Sequence, residues 1–173
     1  MRRIGQIALA LGLAACNGGN AVEDDGRHPL CRVELGLADA IDVAADAHDG
    51  TVIEAEIEIE ANNPIYDVEL VSSTEVVEVT IDPETGDAAV DVEGVPDDLE
   101  RSDAEVIAAS PTSLTDAIAT AEAAVDGCAV SIGLIDTELI GVVMQTDEEA
   151  VGVAIRLEDG MVMDVIAPQT DDD

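Results

Sequence analysis

The chain writes one helix twice. Placed over one another without gaps, "LADAIDVAADAHDG" (Leu37 to Gly50) and "LTDAIATAEAAVDG" (Leu114 to Gly127) share Leu, Asp, Ala-Ile, two alanines and a closing Asp-Gly. A repeat of this kind constrains the fold because each unit must bury its apolar face against a neighbour built in the same way. Apolar residues recur at spacings of three and four, at Leu37, Ile41, Ala44 and Ala45 and again at Leu114, Ile118, Ala121 and Val125, which predicts two helices with one buried face each. Gly50 and Gly127 are expected to stop them in a left-handed conformation, and Thr112 or Ser113 to cap the second.

Alternating strands follow each helix. In "TVIEAEIEIE", Ile53, Ala55, Ile57 and Ile59 alternate with Glu54, Glu56, Glu58 and Glu60, the period-2 mark of a half-buried strand. "IYDVELV" and "EVVEVTI" continue the apolar face with Tyr66, Val68 and Leu70, then Val77, Val79 and Ile81. "DPETGD" (Asp82 to Asp87) is a hairpin turn, with Pro83 fixing one torsion and Gly86 taking a positive one, before a short strand "AAVDV". "AVSIGLI", "LIGVVMQ", "AVGVAIRL" and "MVMDVI" form the second series, in which Val151, Val153, Ile155 and Gly160 match Val77, Val79, Ile81 and Gly86.

The expected fold is α+β, a tandem repeat of one helix packed on a three- to four-stranded antiparallel sheet. The repeats cover residues 35–92 and 112–167. Residues 93–111 read as a structured linker holding a short amphipathic helix with Leu99, Ala104, Val106 and Ile107, capped near Asp97, and 168–173 form an acidic tail. Copies of about 55 residues are marginal alone, so the two should pack as one unit.

The beginning of the chain gives an address. Arg2 and Arg3 precede an apolar run from Ile4 to Ala15, the order of a secretory signal, too short for the roughly 20 residues of a spanning helix. It ends in Leu13-Ala14-Ala15-Cys16, which resembles the lipobox of prokaryotic lipoproteins. Cys16 then carries a diacylglycerol thioether and an acyl chain, residues 1–15 are a signal peptide, and 16–34 are a lipidated N-terminus and flexible tether. Each buried methylene contributes about 0.8 kcal/mol, so two or three acyl chains hold the membrane firmly. Asn17 is not the aspartate that retains such proteins in the inner membrane of enteric bacteria, which favours the outer membrane or periplasmic side of the envelope.

Charge excludes whole classes of partner. The formal net charge is -34, lysine is absent, and Tyr66 is the sole aromatic residue. Nucleic acid demands a basic patch, so it is not a partner. With 47% hydrophobic residues in periodic array the chain is nonetheless globular, its acidity reflecting either a saline habitat or a solvated surface.

The helix with "AHDG", then "TVIEAEI", "YDVELV" and "VEVTIDPETGDAAV", resembles the PepSY domain, matching its pattern at Gly50, Tyr66, Val68, Asp82, Thr85 and Gly86. The second copy has Ile140 for the tyrosine and "LEDG" for the turn. The resemblance implies a non-catalytic domain that binds or restrains a peptidase or peptide. The alternative is a structural, acidic surface lipoprotein whose charged face holds cations.

No catalytic constellation accompanies these motifs. His28 and His48 are the histidines, and the sequence has no His-Glu-x-x-His, Gly-x-Ser-x-Gly or phosphate-binding glycine loop. His48 suits a helix end, where a cation is favoured; "DPETGD" lacks the ligand spacing of a calcium loop. Neither a metal nor a cofactor is expected. Cys31 and Cys128 can form one disulfide tying the copies together, or remain a free Cys31 and a buried Cys128 thiol.

One face of the second copy stands out. Carrying the register of the first copy forward turns its acidic face into Ser131, Gly133, Ile135, Gly141, Val143, Gly152 and Ala154, without a charge. Either the linker helix near Val106 and Ile107 covers this face, the favoured expectation, or it is an interaction site.

Overall fold

A computed structural model describes residues 27–61 and 63–167. The signal peptide, Cys16 and the acidic tail at 168–173 lie outside the described residues. A single 3-10 turn at Pro29–Arg32 leads into α1 (Leu37–Ala47), followed by β1 (Thr51–Glu60), β2 (Asn63–Val71), β3 (Val76–Ile81) and β4 (Ala88–Gly94). The linker helix α2 spans Asp98–Ala109, and then α3 (Leu114–Ala124) is followed by β5 (Cys128–Leu134), β6 (Leu139–Gln145), β7 (Ala150–Arg156) and β8 (Val162–Ile166).

The strands form one antiparallel eight-stranded sheet in the order β4-β3-β2-β1-β5-β6-β7-β8, where three- to four-stranded sheets were expected. The joint is β1 against β5, through Glu54 with Gly133, Ala55 with Ile132 and Glu56 with Ser131. Pairing there satisfies the free edges that two separate sheets would leave open.

Helices α1 and α3 lie side by side on one face, burying Leu37, Ala40, Ile41 and Ala44, and Leu114, Ala117, Ile118 and Ala121, against Tyr66, Val68, Leu70, Val77, Val79 and Ile81 and against Ile132, Ile140, Val142, Met144, Val153 and Ile155. Small residues at the helix contact let the backbones approach the sheet. Ala45 is exposed and Ala40 takes its expected place, because Ala40 completes the 37-41-44 stripe. Tyr66, buried, donates its hydroxyl to the Leu35 carbonyl at 2.9 Å, and the Leu35 N–H reaches the Pro83 carbonyl at 3.1 Å, pinning the entry to α1 across the β3–β4 turn.

The helix ends differ from the sequence expectation. The C-terminal caps are His48 and Val125 in extended conformation, and among the described residues the glycines with positive φ are Gly86, Gly94 and Gly160. Gly50 and Gly127 instead make room: a β-carbon at Gly50 would sit 3.2 Å from Leu70 Cβ, and one at Gly127 would collide with the Gln145 carbonyl oxygen. Ser113 caps α3 by accepting the Asp116 N–H at 3.0 Å.

Strand β1 also departs from strict alternation. A register shift between Val52 and Glu54 sends Val52 to the main core, while Ile53 packs with Val71, Val76 and Ala104 of α2 on the opposite face. Ile59, beyond the reach of the helices, is 59% exposed. Helix α2, capped by Asp97 through the Leu99 and Glu100 N–H groups at 2.7 and 3.0 Å, therefore packs on the face opposite α1 and α3. Its Leu99 is exposed.

Candidate functional site

The outer face carries two tones along continuous rows. One row runs Asp91, Glu78, Glu69, Glu54, then Gly133, Gly141, Ala154 and Asp164, each residue directly opposite the next on the adjacent strand. The parallel row runs Ala89, Thr80, Asp67, Glu56, then Ser131, Val143, Gly152 and Ile166. Carboxylates crowd the half built from β1 to β4; small and apolar residues fill the half built from β5 to β8.

Like charges opposite each other on a sheet are unfavourable, and partial burial of these carboxyls disfavours their charged forms further. Burial raises Glu69 to about 7, assisted by the negative charges of Glu100, Glu54, Glu78 and Glu93. Burial also raises Glu54, and it raises Glu56 and Glu78 with help from neighbouring carboxylates. Asp67 is raised by burial against the lowering effect of its hydrogen bond to Thr80. Glu100 acts on this cluster from α2, which packs on β1 and β2.

On the neutral half, Ser131 and Ala154 are buried and Gly133, Gly141, Val143 and Gly152 are half-buried. Helix α2 packs chiefly on β1 and β2, and its Val106 and Ile107 pack against the main core cluster, which includes Ala129, Val130 and Ile132 of β5. At the apolar end of the acidic half, Val71, Val76 and Ile53 receive Ala104 of the same helix. Ile135, past the end of β5, lays its side chain over Gly141, where a β-carbon would approach Ile135 Cγ1 to 2.9 Å.

Cys31 and Cys128 are brought together and bonded, with Cα atoms 5.5 Å apart and a separation of 97 positions along the chain. The link fastens the segment before α1 to the first residue of β5. His28 Nδ1 accepts the Leu30 N–H at 3.3 Å, and His48 Nε2 lies 3.3 Å from Glu75 in the β2–β3 turn. Asp82 closes the "DPETGD" turn by accepting the Glu84 and Thr85 N–H groups at 2.8 and 3.2 Å. The corresponding "LEDG" turn is held by Arg156, which donates to Asp159 at 2.9 and 2.6 Å. Among the described residues no cluster of side chains is arranged to hold a metal, and no helix is long and apolar enough to cross a membrane.

Sequence reasoning anticipated the carboxylates of β1 and β2 but missed Glu100 as their neighbour. Its only sequence signal was its place three residues after the Asp97 cap, where it reaches back to the Asp97 N–H at 2.6 Å.

Residues 34–88 match the family model of PepSY, the peptidase propeptide and YPEB domain. The match runs from just before α1 to the first residue of β4. No curated protein matches the sequence. Among solved structures, a candidate lipoprotein from Clostridium difficile 630 is similar, with a TM-score of 0.53 and 17% identity over 79% of this chain and 95% of that one. At that identity the likeness is one of fold: helices on an antiparallel sheet, compatible with PepSY. Nothing in the family match or the neighbour points to catalysis.

Proposed function

We propose that the chain is a non-catalytic envelope lipoprotein, anchored through a diacylglycerol on Cys16, whose two PepSY-like halves bind or restrain a peptidase or peptide. The observation that carries this reading is the coincidence of the family match with a complete α1–β3 unit. A second α-β4 unit with the same element order supports duplication, and the β1–β5 joint agrees with it: Ala55 and Ile132 occupy the same place in the two aligned blocks and pair with each other, as copies related by a two-fold axis would. The neutral face, with Ser131, Gly133, Gly141, Val143, Gly152 and Ala154, is the docking surface in this reading, since uncharged area is scarce on a chain of net charge -34. The Cys31–Cys128 bridge holds that half to the entry of the first.

The lipid anchor stands on the thiol alone. Cys16→Ser should move the protein from the detergent phase to the aqueous phase, and unchanged partitioning would reject the anchor. Retention of a peptidase from envelope extract by the immobilised chain tests the binding function. The crowding of Glu54, Glu69 and Glu78 favours a second reading, an acidic surface protein that holds cations. That reading expects no retained peptidase and a melting temperature that responds to divalent cations far beyond their ionic strength.

A further inference from the structure

Strand β4 ends the sheet, and among the described residues its outer edge of N–H and C=O groups meets no other strand. Natural sheets usually blunt such an edge by keeping it short or placing charges along it. Here the edge is seven residues long and has two distinct sides. Val90 and Val92 pair with Val79 and Val77 on the helix side, and remain 45% and 56% exposed beside α1. Asp91 and Glu93 lie toward the outer side, next to Glu78.

From the open edge, the exposed valines and the flanking carboxylates, we propose that β4 accepts an extended segment of a partner protein as a ninth strand, with basic residues alternating with β-branched apolar ones. The inference rests on the proposed binding of a peptide or peptidase and specifies the chemistry of one segment that is bound. Backbone pairing supplies affinity in strand addition, and alternate side chains supply selectivity. On the helix side the added strand would cover Val90 and Val92. On the outer side its cations would stand beside Asp91, Glu93 and Glu78, where the charges acting on Glu78 are all carboxylates, Asp67, Glu93, Asp91 and Glu58. A second copy of this chain is a poor occupant, because β4 against β4 would bring Asp91 and Glu93 of both copies together and like charges across a ladder are unfavourable. The opposite edge, β8, has Val162, Met163, Val165 and Ile166 exposed with one carboxylate, Asp164, so the two edges select different chemistry.

The test uses the full chain and a synthetic peptide of seven residues, alternating arginine or lysine with valine to match β4. Two controls carry glutamate in place of the basic residues, or N-methyl groups at alternate positions that block backbone pairing without altering charge. Hydrogen exchange should slow in Ala88–Gly94 on addition of the basic peptide and stay unchanged in Val162–Ile166, with neither control giving protection. Asp91→Lys with Glu93→Lys, both on an exposed strand, should raise the melting temperature or leave it unchanged, since Asp91 stands opposite Glu78 in the carboxylate row, and should weaken binding by roughly tenfold, as expected when two exposed charge contacts turn repulsive. Equal protection at both edges, protection by the N-methylated peptide, or undiminished binding to the double variant would overturn the proposal. If the double variant loses the peptide yet still retains the peptidase that the wild type retains, the edge is not the peptidase contact and the inference falls while the binding function stands. If the wild type binds no peptide and retains no peptidase, both fall.

Discussion

Glu54 of β1 stands directly opposite Glu69 of β2, and partial burial raises both carboxyl groups above their ordinary range. A carboxyl with a folded pKa above its unfolded value holds its proton more tightly in the folded chain. Its contribution to stability is complete below the ordinary value of 4.5 and is lost as pH rises through about 7. The protein should therefore melt higher at pH 5 than at pH 8. Glu69→Gln, which keeps the shape and removes the charge, should raise the pH 8 melting temperature and flatten the profile. A melting temperature that climbs from pH 5 to pH 8 would show that the pair is not strained.

Salt should act in the same direction at pH 8. The screening length falls to about 3 Å at 1 M, so repulsion along Glu54, Glu69, Glu78 and Asp91 weakens while the apolar core is preserved. Thermal melts between low and molar sodium chloride measure this, and a flat or falling series would contradict it.

The Cys31–Cys128 bond closes a loop across most of the folded chain, since 97 positions separate its ends. Constraining so long a loop in the unfolded chain stabilises by roughly 2–5 kcal/mol. Cys31→Ser with Cys128→Ser should lower the denaturant midpoint accordingly, and a reducing agent should do the same to the wild type but nothing to the variant. Equal midpoints with and without the bond would mean that it adds nothing to the other contacts of the entry segment, among them the hydrogen bonds of Leu35 to Tyr66 and Pro83 and the packing of Leu30 and Val33 on the core.

Gly127 answers to space, not to backbone conformation, and this gives a sharp mutational contrast. A β-carbon there meets the Gln145 carbonyl, a backbone atom that cannot rotate away, whereas at Gly50 the nearest atom is Leu70 Cβ at 3.2 Å. Overpacking of this sort costs about 1–3 kcal/mol, so Gly127→Ala should unfold at distinctly lower denaturant than Gly50→Ala. The reverse order would refute the steric account.

Side-chain periodicity made the core legible: Tyr66, Val68 and Leu70 alternate with Asp67 and Glu69, and the alternation alone assigns each to a face. It failed at Ile53, because the bulge before Glu54 depends on how β1 pairs with β2 and leaves no mark in the residues themselves. The β1–β5 joint was hidden for a related reason. Edge pairing is made by backbone groups that every residue has, so Ala55 beside Ile132 has no signature in sequence. Helix α2 was legible as a helix from the Asp97 cap and the spacing of Leu99, Ala104, Val106 and Ile107, but the Val71, Val76 and Ile53 patch that receives its Ala104 exists only after the strands are paired.

The neutral face can be tested without disturbing the fold, because its glycines differ in their surroundings. At Gly141 a new side chain would have to push aside Ile135, whereas at Gly152 a β-carbon would meet Ile166 O at 3.7 Å and Ile166 Cβ at 3.8 Å, ordinary contact distances, with no positive φ to forbid it. Gly152→Arg should thus change stability by no more than about 1 kcal/mol, as most half-exposed substitutions do. It places a large cation between Val143 and Ile166, in the middle of the uncharged row. If that row docks a partner, retention of the peptidase should fall sharply while Gly152→Ala retains it, since alanine adds neither charge nor length. Melting curves of both variants, run beside the retention assay, separate lost binding from lost folding. Unchanged retention by Gly152→Arg would remove this face from the binding surface and leave the acidic half and the β4 edge as the regions where a partner makes contact.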